Sequence, residues 1–411
     1  MKRLLNTILC LSVAMLAWSQ LPKLPFELTI NQQLEDYDFA VKYIEDNYAG
    51  FPNKVVDSTR ADYESMKTRL HAQVSKGERT GWDAVAEYTA WFNDYHTSLC
   101  LIDVDSCGRT RGASDKYRLQ TPIHYDELMG EYRPQPVACK VTDKTFLVRF
   151  PSCYVDIGME WIEGSISKLM DSGCENLILD IRGNTGGSDL YWYPYWRLLA
   201  DHDGEICDVE YRNSSAYRDS LLQELSSQGV PGEIIQGVQS VFPMLENIQY
   251  VPGSIVRQFL VKLTGSQDFS FAQLQSVLNS LAHPELISGK DNIHLEQVSD
   301  AVRRAALIID NRVASSGEAL VECLKATSNR TTVYGRDNTE GCLDFANCNQ
   351  VPMPNSGIDI SVPMSRRVGL PETGIDATGI APDVRIPLPL PARLTDNIDE
   401  WVIWVAEQLE K

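Results

Sequence analysis

LILDIRGNTGG, residues 177–187, joins an apolar run to a glycine-rich turn and decides the predicted fold. Leu177–Ile181 has the length and composition of a buried β-strand. A second apolar run, Phe146–Phe150, precedes it, and the residues near 156–172 between the two runs have a helical pattern. Because two strands joined by a helix usually form a parallel pair with a crossover, this order predicts an α/β fold.

The same alternation of strand and helix returns later in the chain. A short apolar strand, a helix and another strand are predicted in turn at 306–310, 316–327 and 331–334. Residues 205–300 interrupt this order with a mostly helical pattern. We therefore predict a core at 144–395 with a helical insertion at 205–300, which either covers an active site or is a plain structural excursion.

Further helical patterns flank the core. Residues 20–100 are predicted to form an N-terminal helical domain. Its apolar residues recur at helical spacing in three stretches: 32–50, 58–76 and 82–93. Residues 101–143 have the turn-rich composition of an extended linker, and residues 396–411 are predicted to form an amphipathic C-terminal helix.

The composition is that of an ordinary globular protein. The chain has 411 residues, of which 43% are hydrophobic and 23% charged, and these values argue against disorder, a coiled coil and a multi-span membrane protein. Its 37 basic and 56 acidic residues give a formal charge of -19. Because such a field repels phosphate backbones, no nucleic-acid partner is expected.

The first residues have the pattern of a cleaved signal peptide, predicted at 1–19. Lys2 and Arg3 form a charged start, the stretch from 8 to 18 is apolar, and residues 17–19, Ala-Trp-Ser, offer a small-x-small cleavage site. The alternatives are a buried N-terminal helix and a retained anchor. The mature chain is therefore expected outside the cytoplasm, either secreted or periplasmic.

A lipid anchor and a later membrane span are both disfavoured. Cys10 follows Leu9, where a lipoprotein signal requires a small residue, so the sequence disfavours lipid attachment at Cys10. No later stretch is long and apolar enough to span a bilayer.

The cysteines and histidines do not have metal-site spacing. No CxxC and no HExxH occur, so neither a zinc ribbon nor a zincin is indicated, and no metal is expected. An oxidising compartment permits disulfides among the ten cysteines, and Cys342 and Cys348 are close in sequence. Their pairing does not follow from the sequence.

The glycine-rich turn at 180–187 is the first candidate for chemistry. Glycines after a strand let the backbone turn sharply and direct free N–H groups at an anion. The turn lacks both the GxGxxG pattern and the Lys-Ser/Thr pair of phosphate-binding loops. An oxyanion hole is the functional interpretation, and an ordinary strand-to-helix turn is the alternative.

A serine at a predicted helix start is the second candidate. Ser315 lies in the segment Val313–Glu318, where the helix N-terminus would stabilise developing negative charge. The alternative is a capping box, in which Ser315 and Glu318 satisfy free N–H groups of the first turn.

A histidine and a carboxylate complete the candidates. His96, in the segment 93–98, is suited to accept a serine proton near neutral pH, although a lone histidine is more often structural. Asp376, in the segment 374–383, would orient that histidine or belong to an ordinary surface turn.

Taken together and in this order, these segments resemble the S41 peptidases, the family of tail-specific proteases and the tricorn core. The resemblance covers about 144–390 and rests on the motifs DIRGNTGG, IIDNRVASSGEALV, TVYGRDNTEG and GIAPDV. FNDYHTSL resembles the histidine segment of the branch that uses serine, histidine and a carboxylate. The resemblance implies an α/β core around an internal sheet and a serine endopeptidase that acts through an acyl-enzyme on peptides or proteins.

The resemblance also implies the roles of individual residues. Ser315 is the expected nucleophile, His96 the base, and Asp376 the residue that orients His96, with Glu372 as its rival. The N–H of Ser316 and one from Gly186 or Gly187 would hold the oxyanion. No metal or cofactor is needed.

The sequence departs from the family pattern in several places. The lysine that one branch carries about 25 residues after the serine is missing, because position 340 is Glu340. Tyr95 stands beside the histidine where a serine can occur, and Asp376 stands where a glutamate is expected. Only about 45 residues separate His96 from the core strand, which is too few for the PDZ domain that many members carry.

These departures leave a second function open, a catalytically inactive peptide-binding protein on the same fold. A hydrolase acting on esters or carbohydrates is less favoured, because the serine segment lacks the GxSxG pattern.

Overall fold

The computed structural model describes residues 27–100, 135–154, 157–227, 229–240, 242–254, 256, 289–295, 297–376, 378–389, 391 and 397–411. The predicted signal peptide, Cys10 and most of the predicted linker therefore lie outside the described residues. Within the described ranges, no helix combines the length and the apolar composition needed to cross a membrane.

Four helices and a short strand begin the described chain. They are α1 (Ile30–Asn47), α2 (Phe51–Lys54), α3 (Asp57–Ser75), α4 (Gly81–Trp91) and β1 (Ser98–Cys100). The first helix begins after Thr29, whose hydroxyl accepts the Gln32 N–H at 3.3 Å while the Gln32 side chain accepts the Thr29 N–H at 3.0 Å. The three predicted helical stretches correspond to α1, α3 and α4, with small shifts at their ends.

The remaining elements alternate between strands and helices. In chain order they are β2 (Val137–Lys140), β3 (Thr145–Arg149), α5 (Met159–Ser172), β4 (Asn176–Asp180), α6 (Tyr193–Leu199), β5 (Gly204–Cys207), β6 (Val209–Arg212), α7 (Ser215–Ser227), α8 (Gly232–Gln239), β7 (Tyr250–Pro252), β8 (Lys290–Ile293), β9 (Arg304–Ile309), α9 (Ser316–Thr327), β10 (Thr331–Gly335), β11 (Phe345–Pro352), β12 (Asp359–Arg367), β13 (Val384–Arg385) and α10 (Glu400–Leu409).

A six-stranded sheet forms the core, in the order β13-β10-β9-β4-β3-β2. All neighbours are parallel except β2 and β3, which are antiparallel. The predicted α/β fold and its parallel strand–helix–strand unit are thus confirmed. The edge strand β2 lies in the stretch 101–143 that was predicted to be extended.

Both faces of this sheet are buried, which explains why the middle residues of its central strands are apolar. Leu177 and Leu179 belong to the cluster that includes α5 and α9, whereas Ile178, between them, belongs to the cluster formed with Trp401 and Val405 of α10. The carboxyl ends of β4 and β9 are adjacent, since the N–H after β4 donates to the Ile308 carbonyl at 3.0 Å. The loops that follow these two strands therefore meet at one edge of the sheet.

Four buried charges attach α10 to this edge. Asp399, the N-cap of α10, and Asp180, the last residue of β4, both accept hydrogen bonds from Arg182 Nη2 at 2.7 Å. Arg149 Nη2 lies 2.8 Å from the Asp180 carboxylate and 3.4 Å from that of Asp399. Burial alone would raise the pKa of Asp180, but the two guanidinium groups hold it well below its usual range.

A second, antiparallel sheet connects the N-terminal helices to the core. Its strand order is β1-β12-β6-β7, and β11 also pairs with β12. Leu99 of β1 and Ile360 of β12 are paired, and both are buried in the cluster that α1, α3 and α4 share. The segment that carries His96 is therefore held by this sheet, whereas Ser315 follows a strand of the other one.

The described part of the predicted insertion, 205–300, contains strands as well as the predicted helices. Helices α7 and α8 are present, but β6 pairs with β12 and β7, and β5 pairs with β8. The alternation of Val209 and Tyr211 with Glu210 and Arg212 is the period-two pattern of such a strand. The mostly helical interpretation was incomplete because these strands are short and rich in charge.

Candidate active site

Ser315 occupies a strained turn between β9 and α9. Its backbone has φ 50° and ψ -120°, whereas an ordinary N-cap residue is extended. A positive φ is uncommon for a residue other than glycine, and strained backbone of this kind clusters at functional sites. The Glu318 part of the predicted capping box is present, since the Ser315 N–H donates to Glu318 Oε2 at 3.2 Å.

His96 meets this serine from the other sheet. His96 Nε2 lies 3.1 Å from Ser315 Oγ, although 219 positions separate the two residues in sequence. The buried carboxylate of Asp94 fixes the histidine turn by accepting the His96 N–H at 2.9 Å and the Thr97 hydroxyl at 2.8 Å. The distance between the imidazole and the hydroxyl permits direct proton transfer.

Asp376 is half-buried and lies against the buried carboxylate of Asp344. Its Oδ1 accepts the Asp344 N–H at 2.9 Å, and Asp344 Oδ1 accepts the Ile375 N–H at 2.7 Å. Burial, followed by the negative charges of Asp344 and Asp94, raises the pKa of Asp376 well above its usual range, and Lys54 opposes this effect. The rival Glu372 is exposed, so Asp376 is the less exposed of the two predicted carboxylates.

Replacing Asp376 with asparagine is expected to stabilise the fold at neutral pH, by about 0.5–2 kcal/mol. Because the pKa of Asp376 is raised in the folded state, its stabilising contribution is full below the unfolded pKa and is lost as pH rises through the folded pKa. Thermal unfolding of wild type and Asp376→Asn should therefore diverge as pH rises. Glu372→Gln, at an exposed position, serves as the control. A difference in thermal stability between wild type and Asp376→Asn that stays constant with pH would contradict the raised pKa of Asp376.

The glycine-rich loop packs directly against the serine turn. Gly186 has φ +96°, and a Cβ on it would lie 2.8 Å from Ser315 Cβ and 2.9 Å from the Ser316 nitrogen. The Gly186 N–H donates to Asn184 Oδ1 at 2.9 Å and is thus occupied. By contrast, the Gly187 N–H donates to no residue that the structure describes. The Ser316 N–H belongs to the first turn of α9, which leaves such groups without a helical partner.

Glu318 joins the serine turn to the loop that follows β10. Besides the Ser315 N–H, its buried carboxylate accepts the Thr339 hydroxyl at 2.6 Å and the N–H groups of Gly341 and Cys342 at 2.8 and 3.0 Å. Burial raises the pKa of Glu318, and these hydrogen bonds lower it. The sequence indicated Glu318 only as a cap partner, because the loop contacts depend on the tertiary fold.

Tyr95 and Glu340, two of the residues at which the sequence departs from the family pattern, contact each other. The Tyr95 hydroxyl donates to Glu340 Oε1, and the Glu340 N–H donates to the Val313 carbonyl at 2.9 Å. Glu340, which stands where one branch carries its lysine, is thus held beside the serine turn by the neighbour of His96.

The described cysteines of this site are free thiols. Among the described residues, no group of three or more histidine, cysteine or acidic residues is arranged to hold a metal ion. Cys342 and Cys348 are both free thiols, and the Cys342 Sγ lies 3.2 Å from the Ser315 nitrogen.

Comparisons with known proteins agree with this architecture. The model of peptidase family S41 matches residues 147–386. The crystal structure of mature CPAF has a TM-score of 0.54 and 15% identity, over 93% of this chain and 96% of that one. The structure of mature CPAF complexed with lactacystin has a TM-score of 0.53 and 14% identity, over 93% of this chain and 97% of that one.

A third similar structure comes from Parabacteroides merdae ATCC 43184 and is described as a candidate peptidase. It has a TM-score of 0.50 and 14% identity, over 86% of this chain and 89% of that one. At these identities the likeness shows a common fold. No curated protein matches the sequence.

Proposed function

Because the chain belongs to peptidase family S41, we propose that it is a serine endopeptidase that hydrolyses peptide bonds through an acyl-enzyme. The observation that carries this proposal is the 3.1 Å distance between His96 Nε2 and Ser315 Oγ. A weak nucleophile needs a base within hydrogen-bonding reach, and these two atoms meet that requirement.

In the proposed reaction, Ser315 Oγ attacks the substrate carbonyl carbon while His96 accepts the hydroxyl proton. His96 then gives the proton to the leaving amine, and the peptide C–N bond breaks to leave an ester on Ser315. A water molecule attacks this ester with His96 again as the base. The acid product then leaves, and Ser315 regains its proton.

The negative charge that develops on the carbonyl oxygen requires two fixed N–H donors. The Ser316 and Gly187 N–H groups are the proposed pair. The Gly186 N–H, which the sequence left as an alternative, is engaged by the Asn184 side chain, and this contact favours Gly187. The role of Gly186 is then steric, since its missing Cβ lets the two loops approach each other.

Asp376 is the proposed partner that orients His96 and stabilises its charged form. This role requires the ionised carboxylate, which burial and the neighbouring acidic groups disfavour. Lys54, from α2, is a cation whose charge counters that effect. The signal-peptide pattern at 1–19 supports a secreted or periplasmic location for this activity.

The decisive experiment combines covalent labelling with peptide cleavage. A fluorophosphonate probe should label the purified protein at Ser315, with loss of fluoride, and the same protein should cleave an unstructured protein substrate. Ser315→Ala should lose both properties, whereas Ser188→Ala, a neighbouring serine outside the proposed mechanism, should keep them. Cleavage that survives Ser315→Ala contradicts the mechanism, and absence of both labelling and cleavage in the wild type favours the inactive peptide-binding alternative.

A further inference from the structure

Three side chains next to the proposed oxyanion site are hydrogen bonded to one another. Ser316 Oγ donates to Asp189 Oδ1 at 2.5 Å, and Trp192 Nε1 lies 3.0 Å from the same carboxylate oxygen. The indole nitrogen is also 2.9 Å from Ser316 Oγ. Ser316 and Trp192 are buried, with exposures of 4% and 3%, so the network is largely shielded from water.

This network joins the two loops that supply the proposed oxyanion donors. Asp189 lies two residues after Gly187, and Ser316 directly follows the proposed nucleophile. On the other side of the contact, the Ala314 N–H donates to the Asn184 carbonyl at 3.0 Å. Hydrogen bonds therefore join the two loops both before and after the Gly187 and Ser316 N–H groups.

We propose that Asp189 is a positioning residue, which acts through Ser316 and Trp192 to fix the spacing of the two oxyanion donors. This inference rests on the proposed function. An oxyanion hole is effective because its donors are held in place before the charge develops. A displacement of about 1 Å at a reacting centre costs about 10²-fold in rate, so a fastening at this position matters for catalysis.

An aspartate suits this role for two physical reasons. A hydrogen bond to an ionised carboxylate is shorter and stronger than one between neutral groups, in keeping with the 2.5 Å distance from Ser316 Oγ. The N-terminus of α9 also carries partial positive charge, which favours a carboxylate beside the first turn. Neither reason requires Asp189 to contact the substrate.

The test uses the full chain and compares kcat with KM. Asp189→Ala and Ser316→Ala are each expected to lower kcat by about 10²-fold with little change in KM. Because both changes break one unit, the double variant should resemble the single ones. Asp189→Asn keeps an acceptor oxygen for Ser316 and Trp192 and should restore most of the lost kcat. Asp189→Leu, which fills a similar volume without an acceptor, should not, whereas a packing requirement alone would predict recovery in both.

Ser188→Ala, next to Asp189 but outside the network, is the control and should keep the wild-type kcat. If Asp189→Ala does not fold, Ser316→Ala removes one hydroxyl only and gives the same comparison. An active wild type whose Asp189→Ala and Ser316→Ala variants match Ser188→Ala in kcat overturns the positioning role alone. A wild type without cleavage or labelling at Ser315 overturns the proposed function, and the positioning role falls with it.

Discussion

His96→Ala is expected to lower kcat for peptide cleavage by about 10⁴-fold or more without unfolding the protein. The physical reason is that Ser315 then lacks a proton acceptor 3.1 Å from its hydroxyl. The measurement is steady-state cleavage of a protein or peptide substrate, together with the rate at which a fluorophosphonate labels Ser315. Labelling should slow together with cleavage, because both begin with attack by the same oxygen.

The matched control is His294→Ala, which removes an imidazole that is 78% exposed and paired with Asp203. It should leave kcat unchanged. Cleavage by His96→Ala within tenfold of the wild type would assign the base to another group. The combined variant His96→Ala/Ser315→Ala should be no less active than Ser315→Ala alone, because members of one catalytic unit are not additive.

Asp399→Ala is expected to destabilise the fold by about 3–5 kcal/mol, because it leaves buried guanidinium charge short of a partner. Arg182 Nη2 donates to the Asp399 carboxylate at 2.7 Å, and both side chains are almost fully buried. The substitution also removes the N-cap of α10, which accepts the Trp401 N–H at 3.0 Å. The free energy of unfolding can be measured by chemical denaturation.

Glu400→Ala changes the neighbouring first residue of α10 and serves as the control, with an expected loss of a few tenths of a kcal/mol. A loss below about 1 kcal/mol in Asp399→Ala would mean that water replaces the missing carboxylate.

The lowered pKa of Asp180 also makes the stability of the fold depend on pH. The stability it contributes is present above its unfolded pKa and is lost as pH falls through the folded value.

The core of this fold is predictable because its strands are buried on both faces. Leu177, Ile178 and Leu179 form a continuous apolar run, and a parallel strand between two helical layers requires that composition. The sequence did not predict strand β6, because only one of its faces is buried. Its charged residues Glu210 and Arg212 are typical of a solvent-exposed loop.

The site was predictable only in part. Ser315 and His96 were identified by resemblance, since no local pattern brings together residues 219 positions apart. The choice between Gly186 and Gly187 depends on the Asn184 side chain, whose direction the sequence does not fix. No sequence pattern indicated Asp189, because its proposed positioning role depends on a contact with Ser316 that only the tertiary structure creates.

The attachment of His96 to the antiparallel sheet, and of Ser315 to the parallel one, has a consequence for the newly made chain. On the proposed mechanism, hydrolytic power arises only when the two sheets have docked, since a hydroxyl without an imidazole at bonding distance is nearly inert. A half-assembled polypeptide would thus be harmless to its neighbours and to itself. On this mechanism, the latency of the unassembled chain would follow from the order in which its two sheets dock.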